Sequence, residues 1–150
     1  MATAKKLGEI AWQSVTTKGD GPSARSGHSI TVSGNKAIIF GGCGVAKDGN
    51  TVQIFNETWE LGLGGDVYSW TLVEAMGDEP TPRWRHTATL LPGDDTVLVF
   101  GGLNKGMRFN DSYVLSVAKM EWNIKECAGT PPCPRSHHTA NLITFPATEV

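Results

Sequence analysis

Apolar residues in this chain come in short runs cut by glycine, proline and asparagine, and no stretch sustains a helical period. Residues 80–102 show the unit most plainly. A proline-rich approach leads into Arg83-Trp84-Arg85-His86, and an apolar strand follows. The chain turns at Pro92-Gly93-Asp94-Asp95, and a second apolar strand stops at Gly101-Gly102. The same order runs through residues 26–42, with its turn at Gly34-Asn35 and its stop at Gly41-Gly42. Glycine relieves a positive φ in such turns. First strands are expected at 26–32 and 85–91. The second strands, 37–40 and 97–100, are apolar throughout, which predicts burial on both faces. Each glycine pair is expected where a Cβ would crowd a neighbouring backbone. Third strands are expected at 57–61 and 111–116, and fourth strands at 68–72 and 120–124.

The unit recurs at fixed offsets. Trp12, Trp70 and Trp122 fall 58 and 52 residues apart, and Arg25, Arg83 and Arg135 repeat both spacings. Each Arg has a proline three residues before it (Pro22, Pro80, Pro132) and a histidine three after it (His28, His86, His138). Trp59 in one third strand answers Tyr113 in the other. A period of 50-odd residues, built from four short strands, is the size of a propeller blade.

These residues identify the family the sequence resembles. The Pro-x-x-Arg-x-x-His entry, the pairs Gly41-Gly42 and Gly101-Gly102, the aromatics Trp59 and Tyr113, and the following Trp70 and Trp122 are similar to those of kelch repeats, over residues 10–143. The fold expected is all-β, a partial kelch-type β-propeller. Residues 9–15 would be the outer strand of a preceding blade, 25–74 and 83–126 two complete four-stranded blades, and 135–145 the first strand of the next. Such an inventory cannot close a ring of about 4 to 8 blades. The expectation is therefore a part of a larger propeller, or self-association through exposed blade faces.

Composition narrows the functional classes. A net charge of -2 disfavours nucleic acid as a partner, because phosphate binding needs a basic patch. No run is long and apolar enough to span a membrane, and the opening residues lack a signal-peptide stretch, so a cytoplasmic setting is expected, with nuclear or cytoskeletal ones also open. Cys43, Cys127 and Cys133 are too few and too irregular for a disulfide framework or a zinc site. No cofactor and no metal is expected. The sequons at Asn56 and Asn110 occupy one repeat position and read as turn caps.

The repeated Arg, His, Gly and aromatic positions read first as scaffold. Tryptophans would pack between blades, and the arginines would bond loop carbonyls or acids of the adjoining turn. A catalytic site needs dissimilar groups that converge, which repetition does not supply. Strand connectivity puts the loops 16–24, 43–55, 74–82, 103–109 and 126–134 on one face. The second residue after each repeat Arg would sit at its inner rim: Gly27, Arg85 and His137. The resemblance implies that this rim position supplies basic contacts to an acidic peptide, which Arg85 and His137 fit and Gly27 does not. Trp84, Lys105 and Arg108 would add stacking and charge. The same residues also suit a merely solvated rim. The function expected is a protein–protein interaction module with no turnover. The alternatives are a kelch-like metal-dependent lyase or isomerase, and a purely architectural piece of a large assembly. The iron-binding type resembles Glu-x-x-x-Asp-x-x-x-His. Here Glu74 and Asp78 keep the first spacing, but Pro82 takes the third place.

Overall fold

The computed structural model describes residues 12–46, 48–93 and 95–144. Its strands, in chain order, are β1 (Thr17–Lys18), β2 (Arg25–Ser26), β3 (Ser29–Ser33), β4 (Lys36–Phe40), β5 (Cys43–Val45), β6 (Val52–Ile54), β7 (Thr58–Gly62) and β8 (Tyr68–Val73). The second half holds β9 (Met76–Gly77), β10 (Thr87–Leu91), β11 (Thr96–Phe100), β12 (Leu103–Asn104), β13 (Met107–Arg108), β14 (Ser112–Ser116) and β15 (Glu121–Ile124). There is no helix among the described residues.

Two five-stranded sheets form the body, in the orders β1-β8-β7-β4-β3 and β10-β11-β14-β15-β9. Four strands of each are an antiparallel meander, the kelch blade. The fifth strand was not expected. After an outer strand ends, the chain does not go straight to the next blade's inner strand. It first runs along the next blade's outer edge, parallel to it: β1 pairs Thr17 with Tyr68, and β9 pairs Met76 with Glu121. Each sheet is therefore one contiguous stretch, from β1 to β8 and from β9 to β15, and both begin before the expected blade starts at 25 and 83.

The two end strands differ from expectation. Residues 9–11 lie outside the described residues, and 12–16 carry no strand, with the Trp12 side chain wholly exposed. Residues 135–144 also carry no strand, and 145 lies outside. A strand is defined by its ladder, and among the described residues neither segment has a companion from its own blade. Residues 135–138 are nonetheless docked. Gly102 N donates to Arg135 O at 2.9 Å, and Arg135 N to Phe109 O at 2.9 Å.

The sheets stack face to face. Ladder register puts Ile38, Phe40 and Thr58 of blade one on the face that meets Val97, Val99, Leu115 and Trp122 of blade two. Trp122 is completely buried, tilts against Phe40 with ring centroids 4.8 Å apart, and donates from Nε1 to Thr58 Oγ1 at 3.1 Å. Trp70 is half-buried, and its indole lies against Gly21. The continuous apolar runs fare differently. All of 37–40 is buried, whereas in β11 Val97 and Val99 are buried against blade one and Leu98 and Phe100, on the opposite face, are half-buried.

A candidate interaction face

Each repeat Arg is a structural clamp. Arg83, fully buried, donates to Thr81 O, Thr81 Oγ1 and Gly101 O, and forms a two-oxygen pair with Asp111 at 2.6 and 3.0 Å. Its guanidinium lies 4.4 Å from the Phe109 ring centroid and 5.2 Å from that of Tyr113. Arg25 repeats the arrangement with Ser23, Gly41 O and Glu57, over Phe55 at 3.9 Å. Arg135 reaches Cys133 O and Cys133 Sγ. Delocalised charge and a planar fork suit Arg to carboxylate and carbonyl partners together.

Blades are tied through the backbone of these arginines. Gly42 N donates to Arg83 O at 2.9 Å, and Arg83 N donates to Phe55 O at 3.1 Å. A Cβ on Gly41, whose φ is 65°, would stand 2.5 Å from Arg83 O, so this position excludes every side chain. Gly101 stands in the same relation to Arg135 O.

The histidines reach back one blade. His86 Nε2 pairs with Ser29 Oγ at 2.9 Å and its ring edge meets Phe40; His138 Nε2 pairs with Thr87 Oγ1 at 3.1 Å and its edge meets Phe100. Ser29 and Thr87 each follow the preceding repeat histidine, so His86 and His138 both bond the hydroxyl beside the previous one. Burial, then the Arg83 charge and the neighbouring histidines, lower the His86 pKa to about 3. Burial also lowers that of His138. Both rings are therefore neutral at pH 7.

The inner rim follows a different logic. Gly27, Arg85 and His137 all have left-handed backbone, with φ of 64°, 57° and 59°. Arg85 N donates to Gly27 O at 2.6 Å, and His137 N donates to Arg85 O at 3.1 Å. The rim is thus a chain of amide hydrogen bonds stepping from blade to blade. Three expected site residues meet there. The Arg85 guanidinium lies 3.9 Å over the Trp84 ring, and the Trp84 and His137 rings are 6.5 Å apart. Lys105 and Arg108, both exposed, stand on the β12–β13 hairpin, which joins the rim where Trp84 and Leu103 exchange backbone hydrogen bonds of 3.1 and 2.9 Å.

Some structural positions escaped the sequence reading although their signal is there. A glycine lies seven residues after each repeat Trp: Gly19, Gly77 and Gly129, all with φ near 80°. A Cβ on Gly19 would meet Trp70 O at 2.8 Å, and one on Gly77 would collide with Trp122 O. The acids Glu57 and Asp111, next to the sequon asparagines, proved to be the arginines' partners, while Asn56 Nδ2 reaches Glu79 Oε2 at 3.3 Å. No group of three His, Cys, Asp or Glu converges as metal ligands among the described residues.

Comparison with known proteins agrees with this geometry. Residues 63–145 match the family model described as the KLHDC2/KLHL20/DRC7 Kelch-repeats domain. The chain is 42% identical over 132 residues to the dynein alpha chain, flagellar outer arm, of Chlamydomonas reinhardtii, covering 87% of this chain and 3% of that protein. It is 37% identical over 131 residues to host cell factor 2 of Homo sapiens, covering 81% and 16%. To acyl-CoA-binding domain-containing protein 5 of Arabidopsis thaliana it is 33% identical over 133 residues, covering 89% and 19%. The chain thus spans less than a fifth of the length of each of these relatives. Blade topology, clamp arginines and glycine pairs, together with the family match over more than half its length, make this chain a member of the kelch-repeat family.

Proposed function

We propose that the chain is a protein-interaction module whose loop face receives an acidic segment of a partner protein, and that it binds without turnover. One observation carries this reading. The rim backbone is left-handed in every unit, and in blade one glycine fills the position. A non-glycine residue there costs about 1–2 kcal/mol of backbone strain. The other two units nevertheless carry Arg85 and His137. Among the described residues no carboxylate pairs with Arg85, so its charge serves no internal ion pair. Strain kept at such a position favours an external role. Trp84 beneath Arg85 supplies a flat apolar platform, a combination enriched at binding hot spots. The setting proposed is the cytoplasm, and neither nucleic acid nor a membrane is the proposed partner.

The test replaces both residues by glycine, which relieves strain instead of adding it. Arg85→Gly/His137→Gly should keep the wild-type melting temperature within a few degrees and lose a defined set of captured proteins from cell extract. An unchanged capture profile would overturn the reading.

A further inference from the structure

The longer β5–β6 hairpin of blade one and the β12–β13 hairpin of blade two enclose a groove of about 410 Å³ on the loop face. Register pairs Cys43 with Ile54 and Val45 with Val52, so these four side chains share one face of the β5–β6 hairpin. That face is open: Val52 is 73% exposed and Val45 41%. β6 is also an edge strand, with β5 on one side and no strand on the other among the described residues. Ala46 N bonds Thr51 O and Phe55 N bonds Gly42 O, which turns residues 51 and 55 toward β5. By the alternation of an antiparallel ladder, the amides and carbonyls of Val52 and Ile54 then point outward. Exposed edges are usually blunted by Lys or Pro, and Val52-Gln53-Ile54 has neither.

The opposite wall supplies polar groups. Asn104 Oδ1 is buried there and accepts no hydrogen bond. Lys105 lines the groove beside it. The carboxylate of the β5–β6 turn, Asp48, is engaged by Asn50 N, Thr51 N and Thr51 Oγ1 within its own turn.

We infer that this groove takes an extended acidic peptide as an added strand on β6. Its backbone pairs with Val52 and Ile54, and one of its amides donates to Asn104 Oδ1. An apolar side chain lies over Cys43, Ile54 and Pro82, and a flanking carboxylate meets Lys105. Strand addition draws affinity from main-chain hydrogen bonds and selectivity from alternate side chains. The inference rests on the reading of this face as the protein-binding surface, and adds where the partner's backbone runs.

The probes are fluorescent peptides of the form Thr-Glu-Φ-Glu-Thr, with Φ being Val, Ile, Leu or Phe, read by polarisation. Two matched sets carry an N-methyl group on the Φ amide or Lys in place of Glu. At least one acidic member should bind, and its N-methyl and lysine counterparts should bind at least about tenfold more weakly. Val52→Asp and Lys105→Glu should each weaken binding by a similar factor at unchanged melting temperature, since both side chains are exposed. Equal binding by the N-methyl set, or no binding by any acidic member up to roughly millimolar concentration, would overturn the inference. So would concentration-dependent dimers abolished by Val52→Asp, which would make a second copy the occupant. Arg85→Gly/His137→Gly separates the two readings: peptide binding that survives it, beside an unchanged capture profile, removes the rim reading alone, whereas a changed profile without peptide binding removes this one.

Discussion

Replacing Asp111 leaves a guanidinium stranded inside the protein. The Arg83 side chain has no solvent exposure, whereas Asp111 is 37% exposed. After Asp111→Ala the guanidinium keeps Gly101 O and the two Thr81 oxygens as its hydrogen-bond acceptors, beside the Phe109 and Tyr113 rings. Removing one partner of a fully buried pair costs about 3–5 kcal/mol, and exposure of the carboxylate brings this to about 2–3 kcal/mol here. Asp111→Asn keeps an acceptor in place and gives up the charge, so about 1–2 kcal/mol is expected. With a urea slope of about 2 kcal/mol per molar, the Ala variant's midpoint should fall by about 1 M, and that of Asn by roughly half as much. Urea titration followed by tryptophan fluorescence reads this, because Trp122 is fully buried between the sheets. The order Ala below Asn below wild type is required. Both variants within about 0.5 kcal/mol of wild type would refute the clamp as a source of stability.

Gly41→Ala and Gly34→Ala make a matched pair, since both positions are left-handed but only Gly41 faces a neighbour's carbonyl. Gly34→Ala should cost about 1 kcal/mol of strain and Gly41→Ala more than about 3 by adding the clash with Arg83 O, as measured by thermal or urea unfolding; equal costs would contradict the contact. The unfolded chain binds a proton at His86 near pH 6.5, and the folded one only near pH 3. The unfolded state thus holds more protons in that window. Stability from this group is full above pH 6.5 and falls with pH toward 3, at up to about 1.4 kcal/mol per unit. His86→Gln should flatten that acid limb, and an unaltered limb would count against it. Thr58→Val removes the acceptor of the Trp122 indole and should cost about 1–2 kcal/mol in the same titration, with no loss if the bond is dispensable.

How far the sequence could be read depended on what each residue answers to. Local patterns were legible. The runs at 37–40 and 97–100 became β4 and β11, and each Gly pair lies under a carbonyl from the next blade. What failed was set by partners distant in sequence. No local cue tells that residues 17–18 and 76–77 run beside an outer strand, because those pairings reach about 50 residues ahead. Residues 135–144 have strand composition without a ladder, since pairing needs a second strand. The first strand of blade one splits into β2 and β3 because Gly27 is left-handed, which one glycine in a run does not announce. At the candidate site, Arg85 and His137, each two residues after a repeat Arg, lie against Trp84. The reason for their cost, a backbone that suits glycine, appears only in the dihedral angles.

The parallel pairing of β9 with β15 has a practical corollary. The first and last strands of one sheet lie side by side at its outer edge, so the polypeptide enters and leaves each blade at the periphery, through neighbouring doors. A blade is topologically a cassette. Splicing one in or out at the junction between Val73 and Met76 alters the circumference of an array while its inner rim keeps the same construction. Cuts placed at the Pro-x-x-Arg borders of the sequence repeat would instead strip a strand from one cassette and hang it on another.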